Sequence, residues 1–248
     1  MAVEEIVSLI PARGGSKSIA RKNLQSLMGK PLLAHTIKTA LECNLIKCVN
    51  VSTEDAEIAE VSRHFGAEVP FLRPVSLAQD LTKDGPVIEH FFDWMLKNRG
   101  AKPKILVFLR PTNPHRNAAF LDGAIEEFVE TKNSCFARSV KPSTETPYKM
   151  WNVSEDKVME PVLGTLEEDL FNNPRQILPQ TYWQDGYVDI IRPCYYMSKC
   201  PEHKYKITAI HSPQESNVDI DYVEDFIRLD NSISERKFNQ IDEERYGS

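Results

Sequence analysis

Apolar runs of strand length alternate with stretches of helical periodicity through the first 140 residues of this chain. Strands are predicted over 6–10, 49–52, 105–109 and 135–137, and helices from residue 31 onward and over 56–65, 87–96 and 118–129. Repeated strand–helix units favour a mainly parallel sheet covered by helices, with the ligand site at the carboxyl ends of the strands. We therefore predict a three-layer, Rossmann-like α/β fold, for which 248 residues suffice.

The loop after the first strand is the most informative segment for function. The strand ends at Pro11, which cannot donate to a sheet ladder, and the loop then carries the pair Gly14 and Gly15. Glycines let a backbone turn through positive φ and bring N–H groups close to an anion, and cations add charge-assisted hydrogen bonds to phosphate oxygens. The loop is predicted to hold a triphosphate, and the alternative is a solvated basic loop. Its four cations are Arg13, Lys17, Arg21 and Lys22.

Spacing and charge exclude several functions. Neither G-x-x-x-x-G-K-[ST] nor G-x-G-x-x-G occurs in the loop, which disfavours an ordinary P-loop kinase and an ordinary dehydrogenase. The formal net charge of −6 argues against nonspecific nucleic-acid binding. The sequence has no run of 18 apolar residues and no signal-peptide pattern at its start, so we expect no membrane span.

The cysteine pattern favours reduced thiols. Five cysteines form an odd set without Cys-x-x-Cys spacing, which is typical of neither a disulfide framework nor a zinc site. The protein is therefore expected to be cytoplasmic, with most of these cysteines in its core. They are Cys43, Cys48, Cys135, Cys194 and Cys200.

The alternation of strands and helices breaks down over residues 141–184, a segment with many prolines and two tryptophans, Trp151 and Trp183. We interpret this segment as an inserted dimerisation arm, with a surface loop as the alternative. The catalytic core then comprises 1–140 and 185–248. Order returns in the core with a strand over 207–210, an extended stretch over 217–221 and a helix over 222–229.

Two acids in the extended stretch form a candidate metal site. In an extended backbone Asp219 and Asp221 point to the same face, and carboxylates together with substrate phosphates are typical Mg²⁺ ligands. Two exposed turn acids are the alternative. Further candidates for binding an anionic substrate are Arg73, Arg116, Lys149 and Arg175.

Taken in order, these segments resemble the CMP-nonulosonate synthetases, the acylneuraminate (CMP-sialic acid) cytidylyltransferase family. The resemblance covers roughly residues 5 to 230. It implies a nucleotide-diphospho-sugar transferase fold, dependence on Mg²⁺ and a homodimer in which each arm reaches the site of its neighbour. The segments that carry it are 10–17 (IPARGGSK), 21–24 (RKNL), 29–32 (GKPL), 51–55 (VSTED), 72–74 (LRP), 77–80 (LAQD), 111–116 (PTNPHR), 174–176 (PRQ) and 219–221 (DID).

The resemblance also implies roles for individual residues. The nucleotide phosphates and ribose are expected at Arg13, Ser16, Lys22 and Asn23, and the cytosine at Arg73 and the chain near Thr82. Asp219 and Asp221 are expected to hold Mg²⁺, and Lys149 and Arg175 to approach the acidic sugar from the partner subunit. The predicted catalytic residues are Arg13, Lys22 and Asp221.

The chain departs from the family pattern in its sugar-binding half. Arg110 stands where sialic-acid enzymes usually have Gln, and Asp189 falls where they have an aromatic residue. With Thr112, Lys149 and Arg175, these two are the predicted sugar-binding residues. We expect Arg110 and Asp189 to shift specificity away from N-acetylneuraminic acid, and a structural ion pair outside the pocket is the alternative.

The activity implied is the reaction of CTP with a nine-carbon 2-keto sugar acid to give the CMP-sugar and pyrophosphate. The implied partners are CTP, the sugar acid and a second copy of the chain, with neither nucleic acid nor membrane. The sugar can be sialic, legionaminic, pseudaminic or ketodeoxynonulosonic acid, and the proton of its attacking hydroxyl can pass to a metal-bound water or a carboxylate. A nucleotidyltransferase for another acidic sugar such as Kdo, and a non-catalytic sugar-nucleotide sensor, are the alternatives.

Overall fold

The protein folds around a six-stranded sheet flanked by helices. A computed structural model describes residues 6–196, 206–213, 220, 222 and 224–229. Its helices are α1 (Leu32–Glu42), α2 (Ala56–His64), α3 (Asp84–Arg99) and α4 (Ala118–Glu130), and residues 224–229 are also helical. Its strands are β1 (Ile6–Pro11), β2 (Ser26–Leu27), β3 (Lys30–Pro31), β4 (Cys48–Ser52), β5 (Ile105–Phe108), β6 (Phe136–Pro142), β7 (Trp151–Val153), β8 (Met159–Pro161), β9 (Tyr182–Ile191) and β10 (Ile207–His211).

The central sheet has the order β10-β6-β9-β5-β1-β4, and every strand except β9 runs in the same direction. The mainly parallel sheet predicted from the sequence is therefore confirmed. The predicted strands and helices of the first 140 residues are all present, and β5 lies inside the sheet between β9 and β1.

The antiparallel strand β9 is the element that the sequence interpretation missed. The pair Asp185 and Gly186 is typical of a turn, but in the structure it lies inside a ten-residue strand. In the structure Gly186 has a φ of +68°, and the register against β6 shifts between Arg138 and Val140. The glycine therefore lies at a bulge inside the strand and not at a turn. The predicted boundary between arm and core, at 184 and 185, falls within this strand.

Two apolar clusters cover the two faces of the sheet and make the three layers. One contains side chains of α1, α2 and α4, among them Leu33, Ile58 and Phe128, packed on strand residues such as Val107. The other contains Ile88, Phe91, Phe92 and Met95 of α3, packed on the opposite face. Helices α1, α2 and α4 thus form one outer layer and α3 the other.

Local signals in the sequence explain where several helices begin and end. The Asp55 side chain accepts a hydrogen bond from the backbone N–H of Ile58 at 3.0 Å and caps α2. The side chain of Asn117 does the same for α4. Gly66, predicted to end α2, has a φ of +95°, a conformation that favours glycine.

Residues 143–181 contribute no strand to the central sheet. They contain the antiparallel hairpin of β7 and β8 and three short 3₁₀ helices, and the ring of Trp151 packs against Phe171. Trp183, at the arm end of β9, is 61% exposed. The role of this segment as a dimerisation arm stays a prediction.

Two further observations concern the described part of the chain. Its helices include none that combines the length and the apolar character needed to cross a bilayer. Its four cysteines, at 43, 48, 135 and 194, form no disulfide with one another.

Candidate functional site

A cavity of about 450 Å³ opens at the carboxyl ends of β1 and β5. The loop after β1 and the loop after β5 both line it, as the parallel topology predicts. A third wall comes from the segment that precedes α3 and from the first turns of that helix. The lining residues are Pro11, Arg13, Gly15, Ser16, Lys17, Ser18, Lys22, Asn23, Arg73, Leu77, Gln79, Asp80, Thr82, Asp84, Val87, Arg110, Pro111 and Thr112.

Gly14 is required by a close approach and not by its own dihedral angle. Neither Gly14 nor Gly15 has a positive φ, so the prediction that these glycines turn the backbone through positive φ is wrong. A Cβ on Gly14 would lie 2.6 Å from Oδ2 of Asp55 and 3.1 Å from its Cβ, so any larger residue would push the loop away from the start of α2. Arg21, with a φ of 55°, donates to the same Asp55 carboxylate at 2.5 Å.

Glu54 joins the loop to the floor of the cavity. Its Oε1 accepts a hydrogen bond from the backbone N–H of Gly14 at 2.7 Å, and its Oε2 accepts one from Nη2 of Arg73 at 3.2 Å. Arg73 is 5% exposed, and its Nε is buried without a hydrogen-bond partner in the described structure. Glu54 therefore neutralises a buried cation and fixes the loop with one side chain.

Asp80 binds two of the loop cations at the mouth of the cavity. Its Oδ1 accepts a hydrogen bond from Nη1 of Arg13 at 2.9 Å, and its Oδ2 accepts one from Nζ of Lys17 at 2.8 Å. The hydrogen bond from Lys17 and the charges of both cations hold the pKa of Asp80 below its usual value. This carboxylate is therefore charged at neutral pH.

Lys22 and Asn23 fix the far side of the loop. Asn23 donates from Nδ2 to the backbone carbonyl of Arg13 at 2.9 Å. Lys22 donates from Nζ to the carbonyl of Ile220 at 2.8 Å, and the N–H of Ile220 donates to the carbonyl of Thr112 at 2.8 Å. Ile220 thus ties the C-terminal part of the chain to both loops that line the cavity.

The predicted metal ligands, Asp219 and Asp221, lie outside the described residues. Ile220, the residue between them, is buried beside Lys22 and Thr112. The described residues alone contain no cluster of three metal-ligating side chains.

Arg110 is the centre of a charge network at the β5 side of the cavity. Its Nη2 lies 2.6 Å from Oδ2 of Asp84 and 3.0 Å from Oδ2 of Asp189. Asp189, whose side chain is only 3% exposed, also accepts a hydrogen bond from Nε of Arg138 at 2.8 Å. Burial lowers the pKa of Arg110, but the charges of Asp189 and Asp84 outweigh this effect and raise it. Arg110 and Asp84 face the cavity, and Asp189 lies behind them.

Arg116, a candidate anion-binding residue, has a structural position instead. It is buried and donates to the carbonyls of Tyr187 at 2.6 Å and Arg110 at 2.7 Å, and to Oγ1 of Thr36 at 3.0 Å. Its guanidinium also binds the carbonyl of Asn113. These acceptors belong to β9, α1 and the loop after β5, so Arg116 holds three elements together away from the cavity.

A sequence profile described as cytidylyltransferase matches residues 7–146, more than half of the chain. The chain belongs to the cytidylyltransferase family. The matched region contains both loops that line the cavity, together with Glu54 and Asp80.

Curated relatives share parts of the sequence. The chain is 37% identical over 167 residues to CMP-N,N'-diacetyllegionaminic acid synthase of Legionella pneumophila, which covers 66% of this chain and 69% of that protein. It is 34% identical over 125 residues to pseudaminic acid cytidylyltransferase of Campylobacter jejuni, covering 50% of this chain and only 53% of that protein. An N-acylneuraminate cytidylyltransferase of Escherichia coli is 32% identical over 143 residues, covering 56% of this chain and 33% of its own length.

Solved structures of low identity share the fold. CMP:2-keto-3-deoxy-manno-octonic acid synthetase complexed with CTP superposes with a TM-score of 0.67 at 15% identity, covering 94% of this chain and 99% of that one. A 4-diphosphocytidyl-2C-methyl-D-erythritol synthase from Anaerococcus prevotii gives 0.61 at 12% identity, covering 92% and 98%. These cytidylyltransferases therefore have the same arrangement of sheet and helices.

The structure brings together most of the predicted site residues. Lys149 and Arg175 lie apart from the cavity of their own chain, and Arg175 binds the backbone carbonyl of Thr144 within the arm. Three carboxylates at the site, Glu54, Asp80 and Asp84, had no predicted role, although the first two fall in segments that carry the family resemblance. The predicted residues that line the cavity are Arg13, Ser16, Lys22, Asn23, Arg73, Thr82, Arg110 and Thr112.

Proposed function

We propose that this protein transfers the cytidylyl group of CTP to a nine-carbon 2-keto sugar acid, releasing pyrophosphate. The observation that carries the proposal is the cavity at the carboxyl edge of the sheet, where five cations converge between two loops. The names of the relatives support the chemical class of both substrates. The cations are Arg13, Lys17, Lys22, Arg73 and Arg110.

The nucleotide fits the half of the cavity nearest β1. Arg13, Ser16, Lys22 and Asn23 are proposed to bind the phosphates and ribose, because all four lie in the loop after β1 and line the cavity. Arg73, the buried cation fixed by Glu54, is proposed to meet the cytosine together with the chain near Thr82.

The sugar acid fits the half nearest β5. Arg110 and Thr112 line this end, and the Arg110 side chain is 21% exposed. Its guanidinium offers a carboxylate of the sugar a fixed positive charge. Asp189 lies behind Arg110 and positions it, so we propose that Asp189 affects specificity through Arg110.

Mg²⁺ is proposed to bind at Asp219 and Asp221. Carboxylate oxygens are ligands that suit Mg²⁺, and Ile220 between them is hydrogen-bonded to two cavity residues, Lys22 and Thr112. When bound there, the ion would neutralise charge on the phosphates of the nucleotide.

Catalysis in this proposal is positioning combined with electrostatic stabilisation. The anomeric hydroxyl oxygen of the sugar attacks the α-phosphorus in line, and its proton passes to a water molecule or a carboxylate at the site. As this new bond forms, the bond from the α-phosphorus to the bridging oxygen breaks and pyrophosphate leaves. Lys22 and Arg13 stabilise the negative charge that develops on the phosphates, and Arg110 orients the sugar.

We expect CTP to be used in preference to UTP, ATP and GTP, and the reaction to stop when EDTA removes divalent metal. The measurement is pyrophosphate release with four nucleotides, in combination with legionaminic, pseudaminic, N-acetylneuraminic and ketodeoxynonulosonic acids and Kdo.

N-acetylneuraminic acid is expected to have a lower kcat/KM than another nonulosonate, because Arg110 replaces a neutral amide with a fixed charge.

For each part of this assay, one result would contradict the proposal. Equal turnover with UTP would overturn the assignment of the base pocket. Turnover with Kdo alone would move the acceptor to another sugar class, and no turnover with any pair despite CTP binding would favour a sensor. Full activity in EDTA would remove the metal from the proposal.

The protein is proposed to form a homodimer through the arm. The arm exposes apolar side chains that a partner would cover, including Val153, Ile177 and Trp183. Lys149 and Arg175 could then reach the partner's cavity, since they lie apart from their own.

Light scattering is expected to give twice the mass of the chain. Mixing Arg175→Ala with Lys22→Met, each inactive alone, should regenerate activity in hybrids, because one of the two sites would then contain both wild-type residues. A fully active monomer would contradict the proposal, and mixing two preparations of Lys22→Met is the control that should stay inactive.

A further inference from the structure

We propose that Asp80 occupies the place of a phosphate group when no nucleotide is bound, so that CTP binds by displacing its carboxylate from Arg13 and Lys17. This inference rests on the proposed function. In this inference Asp80 is a positioning residue. Its carboxylate holds the phosphate-binding cations in place and lowers the affinity of the site for pyrophosphate.

The Asp80 carboxylate binds two cations in the way that we propose for a phosphate group. Its two carboxylate oxygens each take one cation, Arg13 at 2.9 Å and Lys17 at 2.8 Å, and two oxygens of a phosphate group would bind in the same way. All three residues line the cavity proposed for the nucleotide. A triphosphate in that cavity and the Asp80 carboxylate would therefore compete for the same donors.

Among the charge pairs of the cavity, the Asp80–Lys17 pair has the most exposed partners. The side chains of Asp80 and Lys17 are 37% and 82% exposed, whereas the Arg73 and Glu54 side chains are 3% and 15% exposed. The Arg110 side chain is 21% exposed, and its two partners, Asp84 and Asp189, are 45% and 3% exposed. Exposed pairs are weak because water screens them, so the Asp80–Lys17 pair exchanges most readily with an incoming anion.

Competition by the Asp80 carboxylate weakens the binding of CTP but favours the release of pyrophosphate. In the free enzyme the Asp80 carboxylate offsets the repulsion between Arg13 and Lys17 and holds both cations close to their binding positions. It also competes with every anion that enters, and pyrophosphate must be released at the end of each reaction cycle. The carboxylate can return to the two cations as pyrophosphate leaves.

The test measures pyrophosphate and CTP binding by calorimetry, with Mg²⁺ present and without sugar, for wild type and Asp80→Asn. The amide keeps the size of the side chain and removes its charge. Asp80→Asn is expected to bind pyrophosphate about three- to tenfold more tightly, since two exposed ion pairs no longer compete. Its affinity should also fall more steeply with salt, because the anion meets two more unpaired cations.

Two control variants separate this effect from a general change in charge. Glu126→Gln removes one negative charge from an exposed position on α4, away from the cavity, and should bind as wild type does. Asp80→Glu keeps the charge and should stay closer to wild type than Asp80→Asn does.

The outcomes distinguish this inference from the proposed function. If wild type binds CTP and pyrophosphate but Asp80→Asn binds them equally or more weakly, the competition is disproved and the proposed function stands. If wild type binds neither, the proposed function fails. Tighter binding in both Asp80→Asn and Glu126→Gln would assign the effect to net charge and overturn the role of Asp80.

Discussion

Replacing Lys22 with methionine is expected to lower kcat/KM for CTP by about 10² to 10³, the size of effect seen when one donor to a developing negative charge is removed. Lys22 is proposed to contact the phosphates, and its Nζ also donates to the carbonyl of Ile220 at 2.8 Å. The change removes a cation from the cavity and a tether from the chain between Asp219 and Asp221. Loss of the phosphate contact weakens CTP binding and raises KM, and loss of the charge that stabilises the transition state lowers kcat.

Two matched variants make the Lys22 result interpretable. Lys97→Met makes the same chemical change at an exposed position on α3 and should leave kcat/KM unchanged. Lys22→Arg keeps the charge with a different geometry and should recover part of the activity. Activity of Lys22→Met within threefold of wild type, in steady-state assays with saturating sugar, would contradict the phosphate-binding role of Lys22.

The fold of the core was predictable because its signals are local. Apolar periodicity within single segments distinguishes β5 from α3 and α4, and Gly66 marks the end of α2. Topology then places the loops after β1 and β5 at one edge of the sheet, which is why the cavity could be located. Strand β9 was missed because Asp185 and Gly186 form a bulge that reads as a turn in the sequence.

The contacts within the site were less predictable because they join residues far apart in the chain. Nothing near Glu54 indicates that its carboxylate bridges Gly14 and Arg73, and nothing near Asp80 indicates that it pairs with Arg13. The sequence suggested a pairing of Arg110 with Asp189, and the structure contains it. The third member of that network, Asp84, was not predicted. Partners of charged groups are set by packing, which residue spacing does not encode.

Arg116 is the clearest case of a charged residue whose partners could not be predicted from the sequence. Its loss is expected to have the largest effect on stability. Its buried guanidinium donates to backbone carbonyls of β9 and of the loop after β5, so the anion-binding role that the sequence suggested for it does not match its position. Arg116→Met removes the guanidinium donors to those carbonyls, and each buried carbonyl that is left without a hydrogen bond costs about 1–3 kcal/mol. The free energy of unfolding is expected to fall by about 3 kcal/mol or more, and Tm by roughly 6–12 °C for a chain of this size.

Denaturant unfolding followed by circular dichroism measures this effect, and Arg99→Met is the control. Arg99 pairs with Glu68 at 2.7 Å on the surface, so the same substitution there should cost less than about 1 kcal/mol. Arg116→Lys should not restore stability, because a single ammonium cannot reach acceptors that a planar guanidinium joins. If Arg116→Met were as stable as Arg99→Met, the carbonyls would have to find other donors, and the order of the loop after β5 could not depend on Arg116.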